Sequence, residues 1–150
     1  VPEKREELTT EGGLDVIRFE DAITDACAKL AEADIKVSLF IDADLKQIDA
    51  AKRTGAPVIE IHTGHYADAV DKTERQQLLD EIVVACEHAD NIGLQVNAGH
   101  GLNRQNIHDI ARISQLEELN IGHAIIADSV FMGLEGSVRE YKRLMREARE

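Results

Sequence analysis

Two side chains capable of proton transfer lie in one short aliphatic segment of the 150-residue chain. Glu60 and His62 are two residues apart in segment 57–62, which is typical of a β-strand, so both are expected on one face. A carboxylate on a buried face is costly unless it is paired, hydrated or used in chemistry. The pair therefore indicates acid–base catalysis. The alternative interpretation of Glu60 is a structural carboxylate hydrogen-bonded to a neighbouring strand.

His100 is a third candidate for proton transfer, because it lies between Gly99 and Gly101 just after the aliphatic segment 93–97. Imidazole exchanges protons near neutral pH. Flanking glycines let the backbone adopt unusual dihedral angles and approach a ligand closely. We therefore expect a functional role for His100, with a solvated loop histidine as the alternative.

Glycines that follow two consecutive predicted strands indicate an anion site. Gly101 follows segment 93–97, and Gly122 and His123 follow segment 118–121. Backbone N–H groups at helix starts bind phosphate without needing a positively charged side chain. The segments thus predict a site for a small phosphorylated ligand or inorganic phosphate, with turn geometry alone as the alternative.

A further candidate for substrate binding is Thr9, in the polar segment 9–13 that follows a highly charged run. A hydroxyl there is expected to bond a substrate when a loop closes over the site. A solvated connection fits the composition of the segment equally well.

The segments that position these residues alternate between short strands and longer amphipathic helices. Strands are predicted at 37–41, 57–62, 93–97 and 118–121. Helices are predicted at 21–33, 45–53, 73–89, 106–114 and 134–149. Thr73 and Gln76 form a capping-box pattern at the start of the third of these helices. The alternation predicts an α/β fold with a parallel sheet.

Both an open doubly wound sheet and a (β/α)8 barrel fit this count of elements. A short helix is predicted over residues 124–133, between the last strand and the final long helix. Barrels often build a phosphate site from the loops after strands seven and eight and the N-terminus of such an extra helix. The barrel is therefore favoured.

Composition excludes several classes of partner. The formal net charge of −12 opposes binding to nucleic acid, and no apolar run approaches the length of a membrane span. Cys27 and Cys86 follow the helical patterns of their segments and lack Cys-x-x-Cys spacing, which predicts buried free thiols. Unpaired cysteines and the lack of a signal-peptide pattern fit a cytoplasmic protein.

Several histidines have side-chain nitrogens that could bind a metal ion. His62 and His65, together with His100, His123 and Glu60, offer nitrogen and oxygen atoms near predicted strand ends. However, His62 and His65 lie across a strand end and a turn rather than on one helix face. We therefore predict no metal site.

Six blocks of sequence, taken together, resemble the pyridoxine 5'-phosphate synthase family. They run in family order and cover nearly the whole chain, at residues 1–5, 9–16, 37–44, 59–64, 96–102 and 119–126. The resemblance implies a (β/α)8 barrel that assembles as a homo-octamer. It also implies condensation of 1-deoxy-D-xylulose 5-phosphate with 3-amino-2-oxopropyl phosphate, giving pyridoxine 5'-phosphate, inorganic phosphate and water. No organic cofactor and no catalytic metal are implied.

The resemblance also implies roles for individual residues. His100 matches the proton donor of the family, and Glu60 matches its transition-state-stabilising carboxylate. Positions that bind the phosphate of the amino ketone match Gly101, Gly122 and His123. Thr9 matches a position that binds the deoxyxylulose phosphate, in a loop that closes over the site.

By the same resemblance, residues 1–150 form a single partial barrel domain that runs from the end of strand four to the last helix. The N-terminal strands would be absent, and the chain alone would be weak or inactive as an enzyme. Two other interpretations stay open at this point. One is a metal-dependent sugar-phosphate epimerase or aldolase barrel, and the other is a non-catalytic partial barrel that self-associates through open sheet edges.

Overall fold

A computed structural model of the chain describes residues 12–150. It confirms the predicted α/β fold, with a four-stranded sheet that is parallel throughout. The strands are β1 (Ser38–Ile41), β2 (Val58–His62), β3 (Gln95–Gly99) and β4 (Leu116–Asn120). Their order in the sheet is their order in the chain. A doubly wound sheet instead reverses its strand order at a switch point, so the described sheet is consistent with part of a barrel.

Helices follow each strand, as parallel connections require. The long helices are α1 (Glu20–Glu32), α2 (Leu45–Arg53), α4 (Lys72–Asn91), α6 (His123–Met132) and α7 (Leu134–Glu147). Two helices of five residues each, α3 (Gly64–Asp68) and α5 (Ile107–Ala111), complete the described part. The sequence did not predict α3, which is too short to show helical periodicity.

The start of α4 differs from the prediction. The helix begins at Lys72, and Asp71 caps it by accepting hydrogen bonds from the backbone N–H groups of Thr73 and Glu74. Thr73 therefore lies inside the first turn, and the capping-box interpretation was wrong. A carboxylate at this position also interacts favourably with the positive end of the helix dipole, which favours the earlier start.

The sheet has one apolar face and one polar face. Alternate strand residues point toward the helices and form the main hydrophobic core, among them Leu39, Ile41, Ile59, Ile61 and Val96. The intervening residues point to the opposite face, where Glu60 is the register partner of Phe40 and Asn97. In a (β/α)8 barrel, the face of the sheet opposite the helices is the interior, where side chains at strand ends meet a substrate.

A smaller core fixes α6 at the end of β4. Its buried members are Ile107, Ala111, Tyr141 and Ala148. The Tyr141 hydroxyl donates to the Asp128 carboxylate at 3.0 Å, and the hydroxyl of Ser137 donates to the Ile125 carbonyl at 2.8 Å. Both bonds connect α7 to α6, so the first turn of α6 is held at the edge of the sheet.

Both cysteines are free and buried, as the sequence predicted. Burial raises the pKa of the Cys86 thiol to about 12, so this group is unreactive as a nucleophile at neutral pH. None of the helices among residues 12–150 is long and apolar enough to cross a membrane.

Candidate active site

The carboxyl end of β2 brings Glu60 and His62 onto the polar face, as alternation predicted. The His62 ring is 8% exposed and packs edge-on against Phe40 of β1, with ring centroids 5.0 Å apart. Its Nδ1 lies 2.9 Å from the Asp42 carboxylate, one residue beyond the end of β1. This hydrogen bond holds the pKa of the Asp42 carboxyl below its ordinary value, against the opposite effect of burial.

His100 lies one residue beyond the end of β3, and its backbone is unusual for a residue with a side chain. Its φ is +82°, and that of Gly101 is +74°. The Thr63 hydroxyl donates to the carbonyl oxygens of both Gly99 (2.7 Å) and His100 (2.6 Å). Left-handed backbone at a residue other than glycine is held only where the surroundings impose it, and it clusters at functional sites. Thr63, which is fully buried, supplies part of that restraint.

The imidazole of His100 faces the ring of His62. Their centroids are 5.0 Å apart and their planes are inclined by 64°. Gly64, the first residue of α3, lies against both rings. A Cβ atom added there would lie 2.5 Å from His62 Nε2 and 2.9 Å from His100 Cδ2. The close contact of the two imidazoles with this backbone therefore requires glycine at position 64.

Glu60 is half-buried, and its carboxylate crosses over β3 to reach β4. Its Oε2 accepts a hydrogen bond of 2.8 Å from the Asn120 amide. The path is open because Gly99 of β3 lies beneath it, and a Cβ on Gly99 would overlap Glu60 Oε1. Burial raises the pKa of Glu60, opposed by the Asn120 hydrogen bond. Glu60 is thus bonded across the sheet to β4 rather than to a neighbouring strand, and its altered proton affinity also suits acid–base chemistry.

Replacing Glu60 by glutamine is expected to stabilise the fold at neutral pH. The pKa of Glu60 is higher in the folded protein than in the unfolded chain. As the pH rises, Glu60 therefore ionises first in the unfolded chain, and its ionisation opposes folding. The gain in the free energy of unfolding from Glu60→Gln should be complete above the raised pKa. It should disappear as the pH falls to the ordinary pKa of a carboxyl group. Urea unfolding at pH 7 and pH 4 measures this difference.

The exposed Glu117 provides a matched control on β4, since Glu117→Gln should change stability little at either pH. Equal urea midpoints for Glu60→Gln and the parent chain at pH 7 would contradict the assigned burial effect.

The predicted phosphate positions lie beyond the adjacent ends of β3 and β4. Gly99 and Asn120 are register partners, and Gly101 and Gly122 each come two residues later. Gly122 precedes the first residue of α6, His123, and both are exposed. Space around Gly122 is open, since an added Cβ meets no heavy atom within 4 Å. Thr9 lies outside the described residues.

Among residues 12–150, one group of side chains has the spacing of metal ligands, namely Asp42, His62 and His65, whose ligand atoms lie within 4.8 Å of one another. This group shares only His62 and His65 with the set considered from the sequence. The hydrogen bond between Asp42 and His62 already accounts for the closeness of two of its members.

Three further residues belong to the site and were not predicted from the sequence, namely Asp42, Thr63 and Asn120. Asp42 carried a usable signal, because it is the polar residue that ends an aliphatic run, as His62 does. Thr63 and Asn120 act through contacts with residues more than 30 positions away. Short-range patterns contain no information about such partners.

The chain is similar to known proteins over nearly its whole length. Residues 1–147 match the family model described as "Pyridoxal phosphate biosynthesis protein PdxJ". The chain is 57% identical over 145 residues to the pyridoxine 5'-phosphate synthases of Coxiella burnetii strains Dugway 5J108-111 and RSA 493 / Nine Mile phase I. The alignments cover 97% of this chain and 60% of each relative. The chain thus spans about three-fifths of the length of these curated relatives.

Proposed function

Because the chain belongs to the family of the pyridoxal phosphate biosynthesis protein PdxJ, we propose that its protein is a pyridoxine 5'-phosphate synthase. The proposed reaction is the transferase-class condensation of 1-deoxy-D-xylulose 5-phosphate with 3-amino-2-oxopropyl phosphate. Its products are pyridoxine 5'-phosphate, inorganic phosphate and water. The observation that carries the proposal is the placement of the His100 imidazole and the Glu60 carboxyl at one edge of the polar face.

The proposed chemistry needs groups of these kinds. Imine formation, loss of water and ring closure each require proton transfer to or from carbonyl and hydroxyl oxygens. In our proposal His100 donates protons to a leaving oxygen. Glu60 stabilises positive charge that develops on the substrate nitrogen. The half-buried setting of Glu60 strengthens that interaction relative to water.

The phosphate of the amino ketone is proposed to bind at Gly101, Gly122 and His123. The N-terminus of α6 supports this assignment, because its first backbone N–H groups have no intrahelical partner and the helix dipole favours an anion. Backbone groups bind phosphate there without adding a positively charged side chain close to Glu60. Thr9 is proposed to bind the deoxyxylulose phosphate.

The wider setting is also proposed from the family. The four strands would be strands five to eight of a (β/α)8 barrel, with residues 1–150 as one partial domain of it. We propose a cytoplasmic homo-octamer that needs no organic cofactor and no metal. Other residues required for the reaction would lie in the part of the relatives that this chain does not match.

The experiment supplies both phosphorylated substrates to the protein that contains this chain and follows pyridoxine 5'-phosphate and inorganic phosphate. Stoichiometric formation of both products, unaffected by chelators, is expected. Loss of activity on chelation, with a bound metal ion equivalent to each chain, would instead favour a metal-dependent barrel. Absence of both products with a folded protein would refute the proposed function.

A further inference from the structure

We propose that His62, held by Asp42, is a positioning residue that fixes the imidazole of His100 for proton transfer. The inference rests on the proposed function for its kinetic readout but concerns a residue to which the proposed function assigns no role in the reaction. It is carried by three observations, namely the packing of the rings, the bond to Asp42 and the backbone that encloses both imidazoles.

The ring packing is the first observation. His100 lies in a loop, and the residue is exposed. Two rings pack against its imidazole, namely His62, with centroids 5.0 Å away, and Phe40, at 6.4 Å. Phe40 and His62 also contact each other at 5.0 Å. The exposed His100 imidazole therefore packs against two buried rings.

The second observation is the bond between Asp42 and His62. Accepting a hydrogen bond at 2.9 Å, the Asp42 carboxylate assigns a proton to Nδ1 of His62 and fixes the orientation of the ring. The opposite nitrogen, Nε2, is buried and has no hydrogen-bond partner among the residues that the structure describes. A buried polar atom without a partner costs about 1–3 kcal/mol. Asp42 offsets that cost and holds the ring in this orientation.

The third observation is the backbone on the other side of the two rings. Gly64 contacts the edge of both imidazoles, and Thr63 bonds the carbonyl oxygens of Gly99 and His100. Three consecutive residues thus act on His100. His62 packs against its ring, Thr63 bonds its backbone carbonyl, and Gly64 lies against the edge of its ring. Such restraint matters because a misplacement of about 1 Å lowers a rate by about 100-fold.

The test compares His62→Asn with the parent protein. The asparagine amide retains a donor to Asp42 but removes the half of the ring that contacts His100. We expect kcat to fall about 10- to 100-fold, with KM for both substrates within about twofold of the parent because no substrate contact is lost. The order parameter of the His100 side chain, measured by NMR relaxation, should fall from that of a rigid group to that of a flexible one.

A second aspartate–histidine pair provides the matched control. His88 and Asp49 are 2.6 Å apart and join α4 to α2, away from the strand ends. His88→Asn should change neither kcat nor the order parameter of His100. Asp42→Ala removes the acceptor for His62 and should lower both readouts. This variant decides the question if His62→Asn does not fold.

The inference is overturned if His62→Asn, or Asp42→Ala in its place, leaves kcat and the order parameter of His100 unchanged. It is also overturned if KM rises in proportion to the loss of kcat while His100 stays rigid. A parent protein without synthase activity would refute the proposed function instead, and the order parameters alone would then decide whether His62 positions His100.

Discussion

Replacing His100 by asparagine is expected to lower kcat about 100- to 10,000-fold, the usual contribution of a positioned proton donor. An amide does not exchange protons near neutral pH, so the proposed donor role is lost. Among residues with a side chain, asparagine also tolerates well the left-handed backbone at this position, where φ is +82°. The fold and the affinity for pyridoxine 5'-phosphate should therefore change little.

Steady-state kinetics and calorimetric titration of pyridoxine 5'-phosphate measure the two effects separately. His108, an exposed histidine on α5, provides the control, since His108→Asn should retain full activity. If His100→Asn retained more than about a tenth of the parent kcat, the proton-donor role would be wrong.

The second large effect is expected from Gly99→Ala. The added methyl group would overlap the carboxylate of Glu60 and lie 2.8 Å from the carbonyl oxygen of Asn120. Glu60 can rotate away, but the backbone of β4 is fixed by its pairing with β3. Forcing a methyl group into filled space costs about 1–3 kcal/mol of stability. We also expect a loss of activity, because the Glu60–Asn120 hydrogen bond must break.

Urea unfolding measures the loss of stability, with Gly136→Ala as the control. Gly136 lies in α7, where an added Cβ has only ordinary contacts of 3.6 Å or more. Alanine is a better helix former than glycine by about 0.5–1 kcal/mol, so this variant should be more stable than the parent. A Gly99→Ala protein as stable and active as the parent would show that Glu60 does not need its path across β3.

The sequence predicted which strand residues form the site better than it predicted their hydrogen-bond partners. Alternation alone placed Glu60 and His62 on one face, because the side-chain period of a strand is fixed by its backbone. The partners of these residues, Asn120 and Asp42, depend on strand order and register. Both are properties of the assembled sheet, to which residues far apart in the chain contribute.

The short helix α3 shows a second limit of sequence patterns. Its five residues contain too few turns to display a hydrophobic stripe, and the glycine at its first position is a weak helix former. Tertiary contacts determine its position instead. Tyr66 of α3 is buried, and its hydroxyl donates to the carbonyl oxygen of Asn106 at 2.9 Å.

The hydrogen bond between Glu60 and Asn120 joins two strands that are not neighbours, and Asn120 lies three residues before the start of α6. A ligand that pulls the end of β4 away from Glu60 removes a bond that lowers the proton affinity of this carboxyl. Ligand binding at α6 and proton uptake at Glu60 are then thermodynamically linked. Because such linkage is reciprocal, the affinity for that ligand then changes with pH.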